Sequence, residues 1–156
     1  MTLDVTLDNI TRRILALMQN NNQLTSEEIG EMVGISASTV QRRIKALRES
    51  KVIARDVSVL SPELINRRIM TIIQIEMERE NPNVLGELKK TMASRQEVMQ
   101  CYYVTGESDF ILIVTFADMM EYEKFCEDHL LGNKNIKRFH TSVVVNTVKF
   151  GLNIPI

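Results

Sequence analysis

Short hydroxyl groups and long basic side chains are concentrated on one stretch of this chain of 156 residues, from Ser36 to Arg55. Arginine can donate two hydrogen bonds to a guanine edge, glutamine can pair in the same way with adenine, and both can bind phosphates. Behind these side chains, Val40, Ile44 and Leu47 keep the i, i+4, i+7 spacing of a helix that packs on a core. The pattern predicts a recognition helix over Ser36–Ser50 that enters the DNA major groove.

The predicted DNA contacts divide by role. Ser36 begins the recognition helix. The residues expected at base edges and nearby phosphates are Ser38, Thr39, Arg42 and Arg43, and those expected on the DNA backbone are Gln41, Lys45 and Arg55.

A second short helix is predicted just before the recognition helix. Thr25 and Glu28 have the spacing of a capping box, in which each side chain satisfies an amide at a helix start. Gly34 has no Cβ and suits the left-handed residue that ends a helix. Asp8 can cap a still earlier helix that ends at the polar run Asn20–Gln23. Together these signals predict a helix-turn-helix held by a third helix.

The second half of the chain predicts a β-α-β-β-α-β order, which is the ferredoxin-like arrangement. Its expected strands are Ile69–Met77, Glu97–Thr105, Phe110–Phe116 and His140–Val148, with helices from Pro82 to Met92 and from Met119 to Leu130. Before them, Val52–Leu60 is predicted to be an extended strand or wing. Because several strands are apolar on both sides, we expect a second sheet from another chain to cover the open face, and hence an obligate dimer or a larger assembly.

The turn Thr105–Asp109 is the main ligand candidate. Gly106 permits a positive φ and exposes backbone amides, which could bind a carboxylate, and the Asp109 carboxylate could bind the ammonium of the same zwitterion. The same composition is also that of a plain hairpin turn. The residues alone favour the plain turn.

Several runs resemble the Lrp/AsnC family, the leucine- and asparagine-responsive "feast or famine" transcription regulators. They are Leu7–Leu15, Glu28–Leu47, Val52–Pro62 and Cys101–Val114, and with these runs in this order the resemblance extends over nearly the whole chain. The resemblance implies an α+β protein with an N-terminal winged helix-turn-helix domain (1–51), a wing or linker strand (52–62) and a C-terminal ferredoxin-like βαββαβ domain for effector binding and oligomerisation (63–156).

The resemblance also implies that an amino acid or similar small effector binds between subunits of neighbouring dimers. The matching residues in and beside the turn are Tyr102, Tyr103, Val104, Thr105, Gly106, Glu107, Ser108 and Asp109; farther along the chain they are Met119, Ser142, Val143 and Val144. The implied partners are double-stranded DNA, the effector, and further copies of the chain as a homodimer that assembles into a tetramer or octamer.

Three residues depart from the family pattern. Lys51 stands where a glycine usually follows the recognition helix. A left-handed conformation there costs a residue with a Cβ on the order of 1 kcal/mol, so the backbone at the beginning of the wing can differ from that of the family. Asn135 also replaces a usual glycine, although asparagine tolerates that conformation better. Ser142 occupies a place often held by an aromatic residue, which leaves the effector's identity open.

Composition excludes several other classes. The net charge is −1, but six basic residues and one acidic residue lie between Arg42 and Arg55, which is a local DNA-binding signature.

The two cysteines and two histidines have no metal-ligand spacing, and no cofactor or catalytic motif is found, so we expect neither a metal site nor an enzyme. Without a signal peptide or membrane segment, the expected location is the cytoplasm. RNA binding by the ferredoxin-like half, or effector sensing without a dedicated operator, stays as the alternative function.

Overall fold

The chain forms two compact units. The computed structural model describes residues 7–61, 64–65, 69–78 and 81–156. The first unit contains the described residues up to Val59 together with Lys149–Ile156, and the second contains those of Leu60–Val148. The sequence placed the last eight residues with the C-terminal domain, whereas in the structure this segment, here called the C-terminal tail, belongs to the first unit.

Three helices make the first unit: α1 (Asn9–Asn20), α2 (Ser26–Val33) and α3 (Ala37–Glu49). The predicted caps are confirmed. Asp8 accepts a hydrogen bond from the Thr11 amide at the start of α1, and Thr25 and Glu28 form the capping box of α2. Gly34 ends α2 with φ 78°, and Ser36 caps α3 by accepting from the Thr39 amide. The two short helices are thereby joined by a three-residue turn.

The core of the first unit is small and shared by all three helices. It consists of Ile14, Ile29, Val33, Val40 and Ile44, with Ile53 packed against it after α3 ends. The C-terminal tail is held on α1 by the side-chain amide of Gln19, which donates to the Ile154 carbonyl at 3.0 Å and accepts from the Ile154 amide at 2.7 Å. Asn153 also donates to the Asn20 side chain at 3.0 Å.

The second unit is a four-stranded antiparallel sheet with strand order β2-β3-β1-β4. Its strands are β1 (Ile69–Met77), β2 (Val98–Tyr103), β3 (Phe110–Phe116) and β4 (Ile136–Val143). Helices α4 (Pro82–Ala93) and α5 (Met119–Cys126) follow β1 and β3, and a π-helical turn, Glu127–Leu131, continues α5. The α+β class and the ferredoxin-like order are confirmed.

The described residues cover one face of the sheet. Alternate residues of β1 and β3, such as Ile73, Ile75, Leu112 and Val114, are buried in a core shared with Leu88 and Phe125 of the helices. The residues between them, among them Ile72, Ile111 and Ile113, pair across the strands on the opposite face and are only half-buried. This open face is the surface for which the sequence predicted a second sheet.

Strand positions differ from the predictions in two places. Over Val52–Leu60 the described chain forms no strand: the Ile53 amide donates to the Leu47 carbonyl at the end of the helix at 3.0 Å, and Val59 and Leu60 are exposed. The last strand lies at Ile136–Val143 and not at His140–Val148. The apolar run that suggested the later position is misleading, since Val145 and Val148 are almost fully exposed.

The two expected left-handed positions have different outcomes. Lys51 has φ 63°, so the chain keeps the left-handed residue after the recognition helix although a Cβ is present. Asn135 is not left-handed, because Lys51 is the one residue other than glycine with a positive φ in the described parts of the chain.

Candidate nucleic-acid interface and effector site

The outer face of α3 carries a continuous polar stripe. Ser38, Gln41, Arg42 and Lys45 are all exposed, and at about 100° per residue they lie within roughly 100° of arc around the helix. Val40, Ile44 and Leu47 are buried on the other side. The helix is therefore fixed by its apolar side and presents the stripe, here called the recognition stripe, to solvent.

The start of α3 is occupied by a small hydroxyl network. The Ser36 Oγ lies 2.8 Å from Thr39 Oγ1 and 3.2 Å from Ser38 Oγ, and it also accepts the Thr39 amide. These hydroxyls are ordered by one another and sit at the positive end of the helix dipole, which favours an anion such as a phosphate.

The basic residues of α3 and of the segment after it differ in how they are paired. Lys45 is 3.8 Å from Glu49 in an exposed i, i+4 pair, which is a weak interaction that DNA can replace. Arg42 and Arg55 are exposed and make no hydrogen bond or ion pair within the described residues. Arg48 is bonded to Asp56 after the helix, at 3.0 Å from its Nε.

Arg43 differs from all of these. Its guanidinium donates to the carboxylate of Asp8 and to the hydroxyl of Thr11, both at the start of α1. These hydrogen bonds, with the Arg43 bond the largest cause, lower the pKa of Asp8 to about 2. The sequence predicted a base contact from Arg43 and did not predict its bond to Asp8. The helical periodicity of α3 already places Arg43 off the recognition stripe and beside the buried face, which is a signal against a base contact.

At the other candidate site, Asp109 ties the loop between β2 and β3 to the end of β1. Its amide donates to the Ile75 carbonyl and its carbonyl accepts from Val104, both at 2.8 Å. Its carboxylate Oδ2 accepts the Met77 amide at 2.6 Å. The described residues donate no hydrogen bond to the other carboxylate oxygen, Oδ1, which can therefore accept one from a ligand.

Gly106 gives that loop its shape. It has φ 124°, a conformation that residues with a Cβ rarely adopt, and nothing lies within 4 Å of where a Cβ would stand. The neighbouring Thr105 and Glu107 are exposed, and Ser108 is half-buried. The loop therefore has an open side at which backbone amides and polar side chains are accessible.

The two tyrosines expected at this site lie on opposite faces of the sheet. Tyr103 is on the helix side, 5.2 Å from the Phe110 ring, with the Lys89 ammonium 4.2 Å above its own ring. Tyr102 pairs with Ile111 on the open face, where its hydroxyl donates to Gln100 at 2.9 Å. Only one of the two can face a ligand on a given side of the sheet.

The remaining expected effector residues lie at the far end of the sheet. Met119 follows β3, whose seven residues separate it from the loop by about 23 Å. Ser142 and Val143 pair with the beginning of β1, and the Val144 amide donates to Met70. Within one chain the structure thus divides the expected effector residues into two groups at opposite ends of the sheet.

Comparison with known proteins decides the family. The Lrp/AsnC ligand binding domain matches residues 70–154, and the AsnC-type helix-turn-helix domain matches residues 7–48. The chain belongs to the Lrp/AsnC family of transcription regulators. The resemblance seen in the sequence is confirmed. As a member of this family, the protein is a DNA-binding transcription regulator and not an enzyme.

Individual relatives support the assignment over nearly the full length. An HTH-type transcriptional regulator of Sinorhizobium fredii is 43% identical over 96% of this chain and 89% of its own. The leucine-responsive regulatory protein of Haemophilus influenzae is 31% identical over 92% of this chain and 86% of its own. The crystal structure of a Neisseria meningitidis transcriptional regulator in complex with L-methionine has a TM-score of 0.89, with 29% identity, over 96% of this chain and 97% of its own.

Two features are absent from the part of the chain that the structure describes. No described helix combines the length and apolar character that a membrane crossing requires. In the same parts of the chain, histidine, cysteine, aspartate and glutamate side chains form no group of three that could hold a metal ion.

Proposed function

We propose that this Lrp/AsnC regulator reads DNA with the recognition stripe of α3 and responds to an amino acid bound at the loop Thr105–Asp109. The observation that carries the proposal is the stripe itself, which is exposed on a helix whose opposite side is buried. Arg42 has the side chain suited to base edges and nearby phosphates, Ser38 and Thr39 bring hydroxyls to the helix start, and Gln41 is expected on the DNA backbone. Lys45 and Arg55 are placed to bind phosphates.

The DNA assignment is tested by the salt dependence of binding. Expressed per DNA-bound subunit, as are all slope changes below, each lost phosphate contact lowers the magnitude of the slope of log Kobs against log salt by about 1. Arg42→Gln together with Lys45→Gln should reduce the slope by about 2 and weaken binding to a duplex that the parental protein selects from a random library. The matched control, Lys90→Gln with Lys124→Gln, removes the same charge from exposed positions of the second unit. A stripe variant that behaves as the control does would remove the assignment.

The effector part of the proposal rests on the chemistry of the loop. The loop offers accessible amides around Gly106 and an available Asp109 oxygen, which are complementary to the carboxylate and ammonium of an amino acid. The Neisseria meningitidis relative was solved with L-methionine, so that amino acid is the first probe. The two groups of effector residues at opposite ends of the sheet support a pocket that a second subunit completes, with the far end of its sheet facing this loop.

Equilibrium dialysis with L-methionine and with a pool of the other amino acids tests this part separately. Gly106→Ala should abolish binding because the loop backbone needs a positive φ, while Gly86→Ala, at an open position in α4, should leave binding unchanged. If no amino acid binds the parental protein, or if Gly106→Ala binds as well as the parent does, the loop is a plain hairpin turn.

The open face of the sheet supports a homodimer as the smallest assembly, with tetramers or octamers built from it. Ile72, Ile111 and Ile113 form an apolar centre on that face, and an aspartate in place of Ile113 would bury a charge in the interface. Sedimentation should show at least twice the 17.9 kDa chain mass for the parent and a smaller species for Ile113→Asp. A monomeric parent would rule the interface out.

A further inference from the structure

We propose that Arg43 is a positioning residue that fixes the recognition helix to the start of α1 and does not contact DNA. The inference rests on the proposed DNA-reading role of α3, since a helix must be positioned for something to be read. Judged by its residue type and its neighbours on α3, Arg43 would be expected to contact DNA.

One nitrogen of Arg43 serves three acceptors. Nη1 lies 2.8 Å from each carboxylate oxygen of Asp8 and 2.5 Å from the Thr11 Oγ1. The Thr11 side of this contact is internal, since that residue is 2% exposed, and the Arg43 side chain is 29% exposed. The guanidinium is therefore held at the edge of the helix cluster and away from solvent on its Thr11 side.

The anchor point on α1 is itself rigid. The same Asp8 carboxylate accepts the Thr11 amide at 2.7 Å as the helix N-cap, and the Asp8 carbonyl accepts the Arg12 amide at 2.9 Å. The low pKa of Asp8, about 2, agrees with a carboxylate that is ionised and accepts hydrogen bonds from Arg43 and Thr11. An ion pair between residues 35 positions apart thus joins two ordered helix segments rather than two mobile side chains.

The position of Arg43 on α3 supports the same conclusion. At about 100° per residue, it lies roughly 100–160° from each of the four residues of the recognition stripe. To reach a DNA groove that contacts the stripe, the side chain would have to leave three charge-assisted contacts and turn around the helix. Asp8 would then be left unpaired near the negatively charged DNA backbone, which is unfavourable.

The recognition stripe and the contact of Arg43 with Asp8 and Thr11, here called the latch, have different roles. The apolar residues Val40, Ile44 and Leu47 hold α3 at its depth, but an apolar contact is not directional and permits rotation or sliding of the helix. The Arg43 Nη1 carries two hydrogens, and its hydrogen bonds to the Asp8 carboxylate and the Thr11 hydroxyl are directional and favour one orientation. Loss of the latch should therefore reduce discrimination between DNA sequences without removing a DNA contact.

The experiment compares Arg43→Gln with Arg42→Gln, two identical changes at adjacent positions, in the full-length protein. Binding is measured on the duplex selected by the parental protein and on a scrambled duplex, from about 50 mM to about 200 mM KCl. Arg43→Gln should lower the ratio of the two affinities by about tenfold, the effect of roughly one mismatched base pair, with the salt slope of the parent. Arg42→Gln should lower the salt slope by about 1.

Asp8→Asn gives the second, independent variant. Asparagine still caps α1, so the helix start is kept while the charge that holds Arg43 is lost. The positioning role predicts that Asp8→Asn lowers the affinity ratio as Arg43→Gln does, and that the double variant is no worse than either single one. If Arg43 contacts DNA, Asp8→Asn frees it and binding becomes stronger.

Three results would overturn the proposal: a slope for Arg43→Gln that falls by about 1, tighter DNA binding by Asp8→Asn, or an unchanged affinity ratio in folded Arg43→Gln. The last would mean that the latch only stabilises the fold. These results are separate from a failure of the DNA-reading role itself, because in that case Arg42→Gln would also leave the slope and the affinity unchanged.

Discussion

Lys51 is strained by its own backbone, and replacing it with glycine should stabilise the first unit. It follows the recognition helix with φ 63°, and its amide donates to the Arg48 carbonyl at 3.2 Å, so the left-handed turn is part of the helix end. A Cβ in this conformation costs about 1–2 kcal/mol. Glycine removes that cost but adds about 0.5–1 kcal/mol of chain entropy in the unfolded state. The net gain should be about 0.5–1 kcal/mol.

The control variant is Lys51→Ala, which removes the charge and keeps the Cβ. It isolates any favourable interaction between the Lys51 ammonium and the end of the α3 dipole. The stability of Lys51→Gly is therefore compared with that of Lys51→Ala. We expect Lys51→Asn to fall between them, because asparagine tolerates the left-handed region better than other residues with a Cβ.

Native-state hydrogen exchange is the suitable assay, since it reports on α1–α3 separately from the sheet unit. Exchange of the core amides should slow by an amount equal to about 0.5–1 kcal/mol, and if the first unit melts alone its Tm should rise by about 2–8 °C. If Lys51→Gly exchanges as fast as Lys51→Ala or faster, the strain argument is refuted.

Three further predictions concern the same unit. Gly30→Ala would place a Cβ 2.6 Å from the Ile35 carbonyl, so thermal unfolding should show a loss of about 1–3 kcal/mol, whereas Gly86→Ala, with nothing within 4 Å, should be stabilising; equal effects would contradict the packing argument. Gln19→Ala should release the C-terminal tail, seen as faster proteolysis of the tail without loss of the helices, and an unchanged cleavage rate would show that the two amide bonds are unimportant. Because the pKa of Asp8 is lowered to about 2, the stability that its carboxylate contributes is present above the ordinary pKa of about 4 and is lost as pH falls from about 4 to about 2. Asp8→Asn should therefore flatten the dependence of the free energy of unfolding on pH in that window. A variant whose curve runs parallel to that of the parent would contradict this prediction.

The elements that could be predicted from the sequence are those specified by local interactions. Helix caps depend on residues within a few positions of one another, so they can be predicted directly from the sequence. Examples are the capping box of Thr25 with Glu28 and the left-handed Gly34. The strands Ile69–Met77 and Phe110–Phe116 were predicted with their observed bounds because both are central strands, rich in apolar residues on both faces.

The elements that were misplaced depend on distant partners. Edge strand β4 begins with Ile136 and carries the exposed Lys137 and Arg138, whose ammonium and guanidinium bond to Glu76 across the sheet. Because these residues are charged, the apolar pattern that indicates a strand is absent from the beginning of β4. The segment Val52–Leu60 alternates as a strand would, but no described strand pairs with it, and the Ile53 amide donates to the Leu47 carbonyl.

The candidate sites divide in the same way. The recognition stripe follows from helical periodicity, which is local. The partner of Arg43 is Asp8, 35 residues earlier, and no local pattern indicates that the two meet. The same is true of Asp109, whose carboxylate is bonded to Met77 on another strand, and of the separation of Met119 from the loop by the length of β3.

The central claim is that this regulator recognises a DNA sequence through α3, and one measurement tests it most directly. Fluorescence anisotropy of the pure protein on its own promoter fragment, against a scrambled duplex of the same length, gives the specificity ratio at about 50 mM and about 200 mM KCl. We predict a promoter affinity that exceeds the scrambled one by at least about 10³-fold at the higher salt concentration. Equal binding to both duplexes, abolished at the higher salt concentration, would show that charge alone holds the DNA and would contradict the account.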